Sequence, residues 1–308
     1  MARIHTNGAN GIDIEYEEFG PKAGEPILLI MGLGGQLTRW PLEFIELLTS
    51  RGYRVIRYDN RDVGLSQKFD SAGPADIARM MTEMALGKQA SAAYTLDDMA
   101  NDAAGLLDAL RIEKAHIVGA SMGGMIGQLV AANHPEKTLS FTSIMSTTGN
   151  SALPPPKPEA MAVLLIRPPA GDADAVIEHG VKAYKTIGSP GYPTDEKEIR
   201  RRVTEDFKRS NYPAGFSRQM AAVMVTGDRR AALKRIKAPT IVIHGADDPL
   251  VPVEGGRDTA ANIAGAELLE IPGMGHDIPA ALYSRIADAI ESVTKRARAG
   301  ASPAMRTA

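Results

Sequence analysis

The chain has 308 residues, 44% apolar and 23% charged, close to the globular average, which excludes long-range disorder. At roughly 150 residues per domain, that length fits about two domains, or one large α/β domain with an insertion. Zero cysteines exclude disulfide frameworks, thiol nucleophiles and cysteine-ligated metal sites, and a net charge of -2 makes nucleic acid an unexpected partner.

The first residues carry no apolar run that could serve as a signal peptide, so the expected location is the cytoplasm. The uncharged stretch 116–133 approaches the length of a membrane span. Gly119, Gly123, Gly124 and Gly127 interrupt it, so it reads as a buried strand followed by a buried helix, and no membrane partner is expected.

Residues 12–19 alternate apolar and polar, as a strand with one exposed face does. Residues 26–31 are continuously apolar, as a strand buried on both faces should be. Helical spacing over 40–49, a strand over 53–58 and an amphipathic helix over 96–110 follow, the last with a capped, acidic start at Thr95-Leu96-Asp97-Asp98. Then come a strand at 116–118, a helix over 122–133 stopped by Pro135, and a strand over 139–145. After Asn150, four prolines break the pattern, and 159–230 has helical periodicity without a convincing strand. The βα rhythm resumes with strands at 240–244 and 267–271 and helices at 255–263 and 280–294. The alternation predicts a mostly parallel sheet with helices on both faces. The expected organisation is a core of 1–150 and 231–298, a helical cap or lid inserted at 151–230, and a C-terminal tail at 299–308. Ligands of such sheets sit at the carboxyl ends of the strands, where the insertion would cover them.

Gly119-Ala120-Ser121-Met122-Gly123 fits G-x-S-x-G between a strand and a helix. A sharp strand-to-helix turn would push the Ser121 hydroxyl out above the sheet, and the flanking glycines leave room for the crossing backbones. The competing reading is a Gly-rich turn with an incidental serine. A serine nucleophile needs a base, and the base an orienting acid, both downstream in this architecture. Of six histidines, His276 follows the last strand in the flexible loop Gly273-Met274-Gly275-His276 and is the candidate base. His244 closes a strand before Gly245, where it can hydrogen-bond in the turn. The acid comes from Gly245-Ala246-Asp247-Asp248-Pro249, where chemistry alone leaves Asp247 and Asp248 both open. Glu254 and Asp277 are weaker candidates, each read as a solvated charge.

Together these residues resemble the α/β-hydrolase family. Its acid segment G-x-x-D-x-x-V-P matches Gly245, Asp248, Val251 and Pro252, which selects Asp248. Gly275-His276 matches its histidine loop. Asp59-Asn60-Arg61-Asp62-Val63-Gly64-Leu65-Ser66 resembles its D-x-R-G-x-G-x-S turn, with Asp62 where glycine is common. Met31-Gly32-Leu33-Gly34-Gly35 followed by Trp40-Pro41, together with the Asp59-Asn60-Arg61-Asp62 turn, is most similar to the aclacinomycin-methylesterase-like branch. The resemblance covers about 11–150 and 235–295; the insertion has no matching signature.

Acyl transfer needs two backbone donors for the developing oxyanion, and the N–H groups of Met122 and Leu33 are the candidates. A dinucleotide fingerprint at Gly32-Leu33-Gly34 fails because Leu37 occupies the third glycine position. Met84 lies in the cluster Met80, Met81 and Met84, while Met220 and Met224 lie in the insertion, as does Met161. These and Trp40 are candidate pocket residues, with ordinary packing as the competing reading. The expected activity is hydrolysis of uncharged, fairly hydrophobic small-molecule esters through an acyl-serine, with no cofactor and no metal. The same residues could serve thioester, lactone, carbon–carbon or perhydrolysis chemistry, or persist in a receptor-like binder.

Overall fold

The computed structural model describes residues 2–6, 11–166, 168–169 and 171–301. Among them, eight strands form one sheet: β1 (Ala2–His5), β2 (Asp13–Phe19), β3 (Pro26–Ile30), β4 (Arg54–Tyr58), β5 (Ala115–Ala120), β6 (Thr138–Ile144), β7 (Thr240–Gly245) and β8 (Glu267–Ile271). Their spatial order is β1-β2-β4-β3-β5-β6-β7-β8. The pairs β1–β2 and β2–β4 are antiparallel, and every later pair is parallel.

Strand β3 shows why the sheet is covered twice. Leu28 and Ile30 point into one core, and Ile27 and Leu29 into the other, as the two-residue period of a strand requires. The first core is closed by α3 (Leu96–Ala109) and α4 (Met122–Asn133), the second by α1 (Leu42–Thr49) and α11 (Tyr283–Ala301). Helix α3 begins with the expected cap: the Thr95 hydroxyl oxygen accepts from the Asp98 N–H, and the Asp98 carboxylate accepts from the Thr95 N–H. Between β6 and β7 the chain forms α5 (Pro158–Leu165), α6 (Ala173–Ile187), α7 (Glu196–Arg209) and α8 (Pro213–Thr226), then the short α9 (Arg230–Leu233). Helix α10 (Glu254–Ala261) packs on β7 and β8.

Three elements differ from the sequence reading. Strand β1 is an edge strand of four residues, too short and too polar to show a period. Helix α2 (Ile77–Ala85) carries the methionine cluster and is capped by Asp76, whose carboxylate accepts from the Arg79 N–H. The 299–308 tail starts later than its composition suggests, because α11 runs to Ala301. Arg296 donates to the Thr240 carbonyl oxygen at 2.7 Å and Arg298 pairs with Glu25 at 2.8 Å, which ties the last turns to the core. The rest of that segment lies outside the described residues.

Candidate active site

Strand β5 ends in a turn that only small residues permit. Ser121 adopts φ 55° and ψ -123°, a strained conformation for a side chain with a Cβ. Its N–H donates to the Ile144 carbonyl oxygen of β6 at 2.9 Å, which anchors the turn to the sheet. A Cβ on Gly119 would lie 2.1 Å from the Gly123 carbonyl oxygen, and one on Gly123 would lie 2.1 Å from that of Ile30. Backbone contacts so close cannot relax cheaply. Gly119→Ala and Gly123→Ala should each lower stability by about 3 kcal/mol in urea unfolding.

The carboxyl ends of β7 and β8 supply the partners. His276 Nε2 lies 2.9 Å from Ser121 Oγ, and His276 Nδ1 lies 2.7 Å from Asp248 Oδ2. An acceptor carboxylate assigns the ring proton to Nδ1, leaving Nε2 to accept from the serine hydroxyl. Asp248 is buried, and its other oxygen accepts from the N–H groups of Leu250 (2.9 Å) and Val251 (2.8 Å). Asp247 points elsewhere: its exposed carboxylate accepts from the Gly273 N–H at 2.7 Å. His244 is fully buried and donates to the Val251 carbonyl oxygen at 2.8 Å, bracing the acid loop. Burial holds its imidazole below the ordinary basicity of histidine.

The loop after β3 closes over the serine. A Cβ on Gly32 would stand 3.0 Å from Ser121 Cβ and 3.5 Å from Oγ. Asn60 donates to the Met31 carbonyl oxygen at 2.9 Å, and the Gly34 N–H donates to Gln219 Oε1 at 2.8 Å. Among the described residues, neither the Leu33 nor the Met122 N–H has a protein acceptor.

Serine and histidine open into a cavity of about 680 Å³ walled by Met31, Met125, Met161, Ile187, Phe216 and Met220. Three candidate pocket residues do not line it. Trp40 is fully buried in the second core, where its ring stacks on Phe44 at 5.9 Å. Met84 sits on the solvent side of α2, 43% exposed. Met224 lies one turn beyond Met220 on α8 and does not line the cavity, although its neighbour Val223 does. Asp277 also departs from expectation: it is buried rather than solvated, lines the cavity, and accepts from the Ser189 hydroxyl. Burial pushes its carboxyl above the usual range, against the hydrogen bonds from Ser189. Glu254 is partly exposed, 3.6 Å from Arg257. Among the described residues, no group of three or more His, Asp or Glu could hold a metal ion.

Sequence reasoning missed the buried network that ties α8 to the turn after β4. Asp62 adopts φ 66°, which explains why glycine is common there; aspartate tolerates that region better than most residues. Its carboxylate accepts from Arg218 (2.7 and 2.8 Å), Tyr94 (2.7 Å) and the Phe69 N–H (2.8 Å), joining α8 to the core. Burial alone would raise the Asp62 carboxyl, but Arg218 and the other donors outweigh it and leave it below its ordinary value of 3.8. A depressed acid adds stability above its unfolded pKa and loses it as pH falls through the folded value, so this contribution disappears in acid below about pH 3.8. Arg218→Ala leaves the carboxylate buried without a counter-charge, and should cost about 3–5 kcal/mol at neutral pH in thermal or urea unfolding.

The sheet, the strained serine turn and the acid and histidine loops define a class. The chain belongs to the α/β-hydrolase family, whose model matches residues 25–279. Among curated proteins it is 32% identical to the rhodomycin D methylesterase DauP of Streptomyces sp. (strain C5), over 91% of this chain and 94% of that one. It is 30% identical to the rhodomycin D methylesterase DnrP of Streptomyces peucetius, over 96% and 98% of the two chains. The expected likeness to the aclacinomycin-methylesterase-like branch is thereby borne out. Among solved structures, the meta-cleavage product hydrolase CumD of Pseudomonas fluorescens IP01 superposes with a TM-score of 0.74 at 21% identity, covering 96% and 98% of the two chains. Among the described residues, no helix is long and apolar enough to cross a membrane.

Proposed function

We propose that the protein is a serine carboxylesterase acting on uncharged, fairly hydrophobic esters. One observation carries this reading: the unbroken hydrogen-bond chain from Ser121 Oγ through His276 to Asp248 at the mouth of an apolar cavity. Ser121 attacks the ester carbonyl as His276 Nε2 takes its proton, while Asp248 keeps the other ring nitrogen protonated. The N–H groups of Leu33 and Met122 hold the tetrahedral oxyanion. His276 returns the proton to the departing alcohol. Water then repeats the cycle and frees the acid. Helices α5–α8 cap the cavity, and the protein works in the cytoplasm.

The methylesterases among its relatives support a methyl ester as substrate. The cavity, with its several methionines, supports an acyl group that is large, apolar and variable in shape. Steady-state turnover of short-chain p-nitrophenyl esters and of aromatic methyl esters tests the reading. Faster turnover of thioesters or lactones alone would move the assignment to another acyl bond. Failure of all three, with no labelling by a fluorophosphonate, would leave a passive binder.

A further inference from the structure

Both loops on which the proposed reaction depends are fastened to the insertion. On the base side, the His276 N–H donates to the Ile187 carbonyl oxygen at 2.7 Å, and the Gly191 N–H donates to that of Gly273 at 2.9 Å. Between these two bonds, the Gly275 N–H donates to Ser189 Oγ at 2.9 Å, and the Ser189 hydroxyl donates to Asp277. Ser189 is 4% exposed, and a Cβ on Gly275 would lie 2.4 Å from the Gly188 carbonyl oxygen, so the two segments are pressed together. One hydroxyl therefore joins the residue before the base to the residue after it.

On the oxyanion side, Gln219 of α8 is fully buried. Its Oε1 accepts from the Gly34 N–H at 2.8 Å, and its Nε2 donates to the Arg61 carbonyl oxygen at 2.7 Å. The same loop is held further along, where Gln36 Nε2 donates to the carbonyl oxygens of Asp206 (2.7 Å) and Ser210 (3.0 Å) at the end of α7. The bond from Gly34 to Gln219 holds the Leu33–Gly34 peptide, next to the peptide that carries the Leu33 N–H, and that N–H has no protein acceptor among the described residues. Bonds of this kind matter because a displacement of about 1 Å in a reacting group can cost on the order of 100-fold in rate.

We propose that Ser189 and Gln219 are positioning residues, Ser189 for the base loop and Gln219 for the oxyanion loop. The insertion is then a built part of the catalytic centre and not a detachable cover. This rests on the reading of Ser121 as nucleophile. The test compares Ser189→Ala, Ser189→Thr and Gln219→Met with the wild type on a p-nitrophenyl ester, with active sites counted by fluorophosphonate titration and folding checked by thermal melts. Expected for Gln219→Met is a fall in kcat per titrated site of about 10- to 100-fold with KM within about 3-fold, since oxyanion geometry acts in the transition state. Expected for Ser189→Ala is a fall of about 5- to 20-fold, with Ser189→Thr recovering most of it because the hydroxyl remains. A purely structural role would lower the melting temperature and the number of titrated sites, while leaving kcat per site unchanged. Wild-type kcat per site in either folded variant overturns the assignment of that residue. If Gln219→Met yields no folded protein, Gln219→Leu, which also removes the acceptor for the Gly34 N–H, is read by the same criterion. Turnover retained by Ser121→Ala would instead defeat the esterase reading, a separate outcome.

Discussion

Replacing Ser121 by alanine is expected to lower ester turnover by on the order of 10⁵- to 10⁶-fold. The hydroxyl is the atom proposed to bond to the acyl group, and no neighbouring side chain can take its place: the nearest partner of His276 Nε2 is Ser121 Oγ itself, at 2.9 Å. The fold should survive. Ser121 makes its structural bond through its backbone N–H, to Ile144, and alanine keeps that bond. Alanine also meets the same backbone strain at φ 55°, so stability should change by less than about 1 kcal/mol. A residual rate above the uncatalysed one is expected, because the proposed oxyanion donors and the cavity remain. Kinetics beside a thermal melt check both halves of the expectation.

Asp248→Asn should cost about 10³- to 10⁴-fold in kcat. An asparagine can keep the N–H groups of Leu250 and Val251 on its carbonyl oxygen, so the acid loop should hold its shape. What is lost lies at the imidazole. The oxygen that accepts from His276 Nδ1 becomes an amide nitrogen, which favours the opposite tautomer and leaves Nε2 protonated and unable to serve as base. Asp247→Asn should cost less than about 10-fold, because that side chain accepts from the Gly273 N–H and faces solvent. The two neighbours share a chemistry and differ in direction, so the pair of variants tests the placement of the acid. Equal losses in both would contradict it.

The parts of the site legible in the sequence are those whose chemistry needs a particular residue at a fixed backbone position. The serine turn was readable because Gly119 and Gly123 are forced by backbone oxygens 2.1 Å from where a Cβ would stand. Strand β3 was readable because burial on both faces demands an unbroken apolar run. Between Asp247 and Asp248, however, local chemistry gives no preference, and only the resemblance to the family's acid segment selects Asp248. Trp40, Met84 and Met224 were misplaced because residue type does not say which way a side chain faces. Helix α2 had a signal that could have been used: Ile77, Met80, Met81 and Met84 follow the i, i+3, i+4, i+7 pattern behind a capping aspartate. Asp277, Ser189 and Gln219 were beyond reach in a single sequence. Their partners lie 86 to 185 positions apart in the chain, and a buried polar residue looks like a solvated one until the contact is seen.

The central claim is that Ser121 is made nucleophilic by His276. The most direct measurement is the intact mass of the protein after brief exposure to a fluorophosphonate, followed by peptide mapping, for the wild type and for His276→Ala. The account predicts a single adduct on the peptide containing Ser121, formed rapidly in the wild type and at least about 100-fold more slowly without the imidazole. An adduct on another residue, or equal rates in both proteins, would contradict it.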